Sequence, residues 1–517
     1  MLILSGALLV GVRVHAAPIP AAVEPAELHI QRTADNVTLT WPAAYRWSEL
    51  QVTRFDALPF EWQLIGVEPQ LNDDHWSVTL PVETRALLYR LVSPLNHVLV
   101  IGQSLGMGAY GFDLIHTNQP FQNKMFIGQQ LDGSLPDLQP DDLSALVPLV
   151  EQQIPSQNGG ETIASGFANW ISAQVGPGVH DFLLSNAARG GANYELIKRQ
   201  PAGQPGQTPT GTPTYLRSLD QVEAGRQLAG TNAYRFRALL SVHGEGDNIN
   251  QQYDANIREW RSDYQADVQR LTGQTHDVPM FHTQISAWGN LGNATRTVSP
   301  FKMLAEHERD PLNTILVGPK YFLPYQPQDG LHLTGAGYAW LGEYYAKAYY
   351  QQVMLGQPWS PLRPVPGGIT RVGNIIEIQF TGQVGDLVFD TNLVTNPQGE
   401  IYDSQASPSY GPTWVQIGPF GFEYWDTHGS GNPWICSTVI VQAEVVPPDI
   451  VRLTLNQTPL GLNRWIRYGY TALPMNAGGG GGPESGPRGC LRDSDPAASR
   501  LGQPLYNWCV HFDKPCP

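Results

Sequence analysis

Two hydrophobic periodicities divide the chain. Over residues 25–93, apolar and polar positions alternate in short runs. These are Leu28-His29-Ile30, Asn36-Val37-Thr38-Leu39-Thr40-Trp41, Leu50-Gln51-Val52-Thr53-Arg54, Trp76-Ser77-Val78-Thr79-Leu80 and Leu87-Leu88-Tyr89-Arg90-Leu91. A period of two places alternate side chains on one face of a strand, and such runs recurring at roughly ten-residue spacing predict a small β-sandwich.

Over residues 95–355 the apolar runs become continuous, as in His97-Val98-Leu99-Val100-Ile101, Phe182-Leu183-Leu184, Ala238-Leu239-Leu240-Ser241-Val242 and Thr314-Ile315-Leu316-Val317. Helical stretches alternate with them, from Gln252 to Leu271 and from Ala339 to Gln352. Strands buried on both faces and separated by helices predict a parallel sheet covered on each side. The Pro/Gly/Thr-rich stretch from Pro201 to Pro213 reads as a loop of this region, near the mouth of a site. Residues 365–517 return to strands, at Ile375–Phe380, Ile440–Val445 and Val451–Leu455, with a last one expected at Trp508–Phe512. The glycines from Gly478 to Gly482 read as a flexible loop or linker. Trp414, Phe420, Phe422, Tyr424, Trp425 and Trp434 crowd this part; they read as core and loop anchors, with a sugar-stacking platform as the alternative.

At 517 residues the chain exceeds a single core and predicts several domains. Its net charge of -15 excludes partners that need a basic surface, nucleic acid and anionic membrane alike. No later segment is apolar for the length a spanning helix requires. Residues 1–16 read as a signal peptide, with an apolar core from Leu2 to Val10 and small residues at Val14-His15-Ala16 before Ala17. Secretion, or export to a periplasm, fits Cys436, Cys490, Cys509 and Cys516, an even number confined to the C-terminal part. They predict two disulfides with three possible pairings, one pinning the last strand.

Chemistry enters with two short motifs. Gly102-Gln103-Ser104-Leu105-Gly106 follows a buried strand and holds a serine in a glycine-rich turn at its carboxyl end, where open α/β sheets bind ligands. Asp329-Gly330-Leu331-His332 places a carboxylate three residues from an imidazole, just ahead of a helix start. A serine needs a base to become a nucleophile, and the base needs an acid to hold its tautomer. The three together point to a serine esterase. His243, Glu245 and Asp247 alternate as metal ligands on a strand would, but two interleaved glycines read as a loop, so no metal is expected. The chain has no P-loop and no dinucleotide fingerprint, so no cofactor is expected either.

These blocks, with Ser241-Val242-His243-Gly244-Glu245-Gly246-Asp247-Asn248 between them and Asn186-Ala187-Ala188-Arg189-Gly190-Gly191-Ala192-Asn193 before that, resemble the SGNH hydrolase superfamily. The match is to its sialate O-acetylesterase-like and acetylxylan esterase-like branch, over about residues 95–350. The resemblance implies a flavodoxin-like, three-layer α/β hydrolase domain, flanked here by the N-terminal sandwich and the C-terminal β-rich domain. Trp41 and Tyr89 in that sandwich are placed like the core aromatics of a fibronectin type III module. The resemblance further implies Ser104 as nucleophile, His332 as general base and acid, and Asp329 as its orienter. Ser104, Gly166 and His243 are then the oxyanion-hole candidates, with Gln103, Glu245 and Asp247 supporting them. His243 stands where the branch has a glutamine, and it donates only if a partner, Glu245 or Asp247, fixes its tautomer. The implied substrate is an O-acetylated saccharide. Esters of other acyl or aryl groups, or a catalytically silent carbohydrate-binding role, are the alternatives.

Overall fold

In the computed structural model the apolar run ahead of Ser104 is the central strand of a seven-stranded sheet. The structure describes residues 27–517 apart from 46, 57, 84–85, 129–139, 154–157, 200–210, 231–232, 292–296, 403–413, 427–437 and 473–479. The strands are β1 (Leu95–Gly102), β2 (Lys124–Phe126), β3 (Leu146–Pro148), β4 (Phe182–Asn186), β5 (Tyr234–Val242), β6 (Met280–Thr283) and β7 (Thr314–Gly318). They lie in the order β3-β2-β4-β1-β5-β6-β7, parallel except at the edge strand β3. Val98, Leu99 and Val100 are fully buried, which is why β1 reads as an unbroken apolar run rather than an alternating one.

The helices are α1 (Ile163–Val175), α2 (Pro213–Ala229), α3 (Tyr253–Thr272), α4 (Ser299–Arg309) and α5 (Gly335–Tyr349). From β1 the chain crosses to β4 on one side, then returns through α2 to β5 on the other. Right-handed crossovers then place α1 and α5 on one face and α2, α3 and α4 on the opposite one. The contacts agree, since α1 packs on α5, α2 on α3 and α3 on α4. The sheet's order therefore reverses at the carboxyl end of β1, beside Ser104, and such a reversal opens a crevice between loops leaving in opposite directions. Of the stretch from Pro201 to Pro213, Thr212 and Pro213 belong to α2 rather than to a loop. Thr212 caps the helix by accepting from Tyr215 N, and Pro213 opens it. Gly211 bridges Arg199, and residues 201–210 lie outside the described residues.

The N-terminal part forms a four-stranded and a three-stranded antiparallel sheet around Leu39, Trp41, Leu50 and Val78. Trp41 is core, as its position in the alternation predicts. The C-terminal strands do not build a core of their own. Ile376, Ile378, Leu453, Ile466, Tyr468 and Phe512 join one hydrophobic cluster with the residues of the α/β layers. Polar ties cross the same boundary: Lys347 in α5 pairs with Asp495 at 2.8 Å, and the Glu343 carboxylate accepts from Arg500 N at 3.0 Å. Phe422, Tyr424 and Trp425 are buried in this part. Phe420 stacks on Phe389, so these aromatics pack rather than present a platform. Trp434 and the side chain of Trp414 lie outside the described residues.

Two expectations are corrected here. Trp508–His511 is not a strand; the last strand is Phe512–Cys516, paired with Arg464–Tyr468. No disulfide joins Cys490, Cys509 and Cys516, which are free and buried as small apolar side chains. Two disulfides among four cysteines would require one pair within this trio, so that arrangement is not present. Cys436 and the proposed signal segment lie outside the described residues. Among the described residues, no helix is long and apolar enough to cross a membrane.

Burial of histidine sets an acid limit on the fold. Burial lowers His97, His282 and His511 to about 3 and His276 and His307 to about 4, from an ordinary value near 6.5. A base depressed on folding contributes stability above its unfolded value and loses it as pH falls toward the folded one. Glu151 and Glu343, pushed up to about 7 chiefly by burial, act oppositely, stabilising below about 4.5 and losing that as pH rises through 7. The histidines outnumber them, so the melting temperature is expected to fall between pH 6.5 and pH 5. Among the described residues, neither ring nitrogen of His282 finds a hydrogen-bond partner. His282→Met should therefore raise the melting temperature and make its pH slope shallower, as thermal melts across this range would show.

Candidate active site

The nucleophile turn starts where β1 and β5 end together, Gly102 paired with Val242. Gly102 has φ 134°, and a Cβ there would stand 2.2 Å from Val242 O, so only glycine lets the chain turn at this point. Gln103 N then donates to Val242 O at 3.1 Å, and Gly106 N to Gln103 O at 2.8 Å, closing a tight turn around Ser104. The Asn186–Asn193 loop lies against it: Asn186 Nδ2 donates to Gly106 O at 2.8 Å and Arg189 N to Gly102 O at 3.0 Å.

Asp329 and His332 arrive from the loop between β7 and α5. That helix starts sharply because Thr334 caps it, accepting from Gly337 N at 3.1 Å. His332 Nε2 lies 2.8 Å from Ser104 Oγ, and His332 Nδ1 lies 2.6 Å from Asp329 Oδ2. Asp329 Oδ1 accepts from the amides of Leu331 at 2.9 Å and His332 at 3.1 Å, so both carboxylate oxygens are committed. Partial burial of Asp329 opposes its charge, but the hydrogen bonds from His332 and the two amides outweigh it and hold the carboxyl below its ordinary range. An ionised Asp329 accepts the hydrogen bond from Nδ1–H, which keeps the proton on Nδ1 and leaves the Nε2 lone pair facing the serine hydroxyl. Tyr110, at φ 62°, stacks on the His332 ring with centroids 5.0 Å apart and fixes its plane from the other side. Ser104 is half-buried and His332 is 9% exposed, so the pair is largely but not wholly shielded from solvent.

The remaining sequence candidates fall elsewhere. Gly166 lies in α1, where a Cβ would stand 2.2 Å from Ala339 O; it is a glycine for the close crossing of α1 and α5, and it is withdrawn as an oxyanion donor. His243 is also withdrawn. Its Nε2 donates to Ala192 O at 3.1 Å, and its Nδ1 accepts from Tyr253 Oη at 2.7 Å, so no ring nitrogen remains for a substrate. Burial lowers its basicity against the pull of Asp247 and Glu245, consistent with that neutral tautomer. Neither acid sets the tautomer by a hydrogen bond: Asp247 Oδ2 is 3.8 Å from Nε2, and Glu245 Oε1 pairs with Lys320 Nζ at 2.6 Å.

What these residues do is hold loops. Asp247 Oδ2 accepts from Tyr194 N at 2.7 Å, and Gln103 Oε1 accepts from Gly246 N at 3.1 Å. With His243 on Ala192, they tie the 243–248 segment to both the nucleophile turn and the Gly190–Gly191 turn. Three residues of the site escaped the sequence reading: Tyr110, Asn290, whose Nδ2 donates to Asp329 O, and Gly481, whose amide donates to Gly330 O. The positive φ of Tyr110 left no local signal, and the other two act across long separations. Among the described residues, no cluster of three or more His, Cys, Asp or Glu is arranged to hold a metal.

No protein-family model matches the chain, and no curated protein matches it. Among solved structures it is similar to XAC1771, a carbohydrate acetylesterase from Xanthomonas citri, with TM-score 0.49 and 13% identity over 93% of this chain and 95% of that one. An Arabidopsis thaliana protein gives TM-score 0.35 and 17% identity over 50% of this chain and 98% of that one. A carbohydrate esterase whose active site shows divergent catalytic and non-catalytic binding functions gives TM-score 0.24 and 9% identity, over 64% and 98%. The structural neighbours of this chain thus include a carbohydrate acetylesterase and a carbohydrate esterase, at a distance too great to carry a function across.

Proposed function

We propose that this protein is a serine esterase that forms an acyl-enzyme on Ser104, acting on the O-acetyl groups of a saccharide after export. The continuous hydrogen-bonded chain Ser104–His332–Asp329 carries the reading. His332 Nε2 takes the Ser104 proton as Oγ attacks the ester carbonyl, and returns it to the departing alcohol oxygen. Water then attacks the acyl carbon by the same route, giving the acid and restoring the serine.

The tetrahedral oxyanion needs donors already in place. The amides of Ser104, Gly190 and Gly191 suit that task. None of the three has a hydrogen-bond partner among the described residues, and Asn186, Arg189, His243 and Asp247 hold the two turns beside each other. The acetyl and saccharide preferences rest on the resemblance of the sequence blocks to the sialate O-acetylesterase-like branch.

Hydrolysis of p-nitrophenyl esters across acyl lengths tests the reading. Acetate turnover that falls steeply by butyrate, with acetate released from acetylated oligosaccharides, is the expected result. A preference for longer acyl chains would move the reading to an esterase of other acyl groups. No turnover and no labelling of Ser104 by a phosphonate would leave a catalytically silent binding protein.

A further inference from the structure

The loop bearing Asp329 is steadied from outside the α/β layers. Its stem is a single bridge between Tyr325 and Leu333. Within it, Gln326 N donates to His332 O at 2.7 Å and Gly330 N to Gln326 O at 2.8 Å. The carbonyls of Asp329 and Gly330 still need partners, because a backbone acceptor left unpaired in a packed site is costly. Asn290, on the turn Trp288–Leu291 after β6, supplies the first through Nδ2, and Gly481 N supplies the second.

The fit at Gly481 admits nothing larger than glycine. A Cβ there would stand 2.2 Å from Cε1 and 2.4 Å from Cδ1 of Tyr325, so the bare backbone lies on that ring. Across the contact, Gly480 Cα is 2.9 Å from where a Cβ of Gly330 would be. Both arms are rooted in the C-terminal part. Ser485 Oγ donates to Gly481 O at 3.2 Å, Thr395 N to Pro483 O at 3.0 Å, and Arg488 Nη1 to Gly486 O at 3.0 Å. On the other arm, Trp288 Nε1 donates to Tyr470 O at 3.1 Å.

We infer that Gly480–Gly482 and Asn290 are a two-armed clamp through which the C-terminal strands position Asp329, and through it His332. This rests on the esterase reading above and makes Gly481 and Asn290 positioning residues of that site. It also makes the described part of the glycine run, expected as a flexible loop or linker, a loop held by its contacts with Gly330 and Tyr325.

The test uses full-length Gly481→Val and, should that variant not fold, Asn290→Ala, each in the wild-type and the Asp329→Ala background. With p-nitrophenyl acetate, each is expected to lower kcat about 10–100-fold with KM changed by less than about twofold, the signature of misplaced catalytic geometry. In Asp329→Ala, which has already lost what the clamp positions, the same substitutions should change kcat no further. An equal loss in both backgrounds would mean a merely structural role and overturn the clamp. Wild-type kcat in Gly481→Val and Asn290→Ala would overturn it too. Undiminished turnover in Ser104→Ala would instead sink the esterase reading itself, so the two failures are told apart.

Discussion

Ser104→Ala is expected to lower kcat/KM for acetyl esters by at least about 10³-fold, with the fold intact. The size follows from what the hydroxyl does. Without Oγ there is no covalent intermediate, and His332 has no proton to take from 2.8 Å away. The backbone donors remain, which is why a residual rate above water should survive. Stability should barely change, because Ser104 is half-buried and, among the described residues, its hydroxyl hydrogen-bonds only His332. Asp329→Asn should cost a comparable factor for a different reason: the amide no longer stabilises the charged imidazole or selects its tautomer. Initial rates with p-nitrophenyl acetate, alongside thermal melts, check both. A Ser104→Ala enzyme retaining a tenth or more of wild-type turnover would remove the nucleophile from the mechanism.

The largest effect on stability is expected at Lys320→Met. Lys320 is fully buried just after β7, and its ammonium lies 2.6 Å from Glu245 Oε1, itself buried just after β5. Among the described residues Glu245 Oε2 has no hydrogen-bond partner, so the carboxylate relies on the Lys320 ammonium. Removing the lysine leaves an uncompensated buried charge near the carboxyl ends of β5 and β7, at a cost of about 3–5 kcal/mol. The double variant Lys320→Met, Glu245→Leu should recover most of that loss, because two apolar side chains leave no charge to desolvate. Urea unfolding of the three variants decides it. A single-variant loss under about 1 kcal/mol would mean that water reaches the pair.

The sequence alone was enough to place β1, β4, β5 and β7 of the α/β layers and the longer strands of the N-terminal sandwich, because burial on one face or two writes a period into consecutive residues; the short β2, β3 and β6 carry too few residues to show one. It was also enough to single out Ser104, Asp329 and His332 as candidates, since each sits in a turn whose glycine or cap is encoded within a few residues. The structure then brings the three within hydrogen-bond reach. Partnership across the fold was not legible. A glycine that admits a helix crossing looks the same in sequence as one that offers an amide to an oxyanion, and only the approach of Ala339 identifies Gly166 as the former. His243 could be read as a donor until its two nitrogens met Ala192 and Tyr253. The cysteines suggested cross-links, yet Cys490, Cys509 and Cys516 pack as apolar groups. Gly481 lies 151 residues beyond Gly330, and no periodicity links them. Local conformation follows from neighbours in the chain, but the seating of Asp329 depends on surfaces that meet only when the C-terminal strands close onto the shared core.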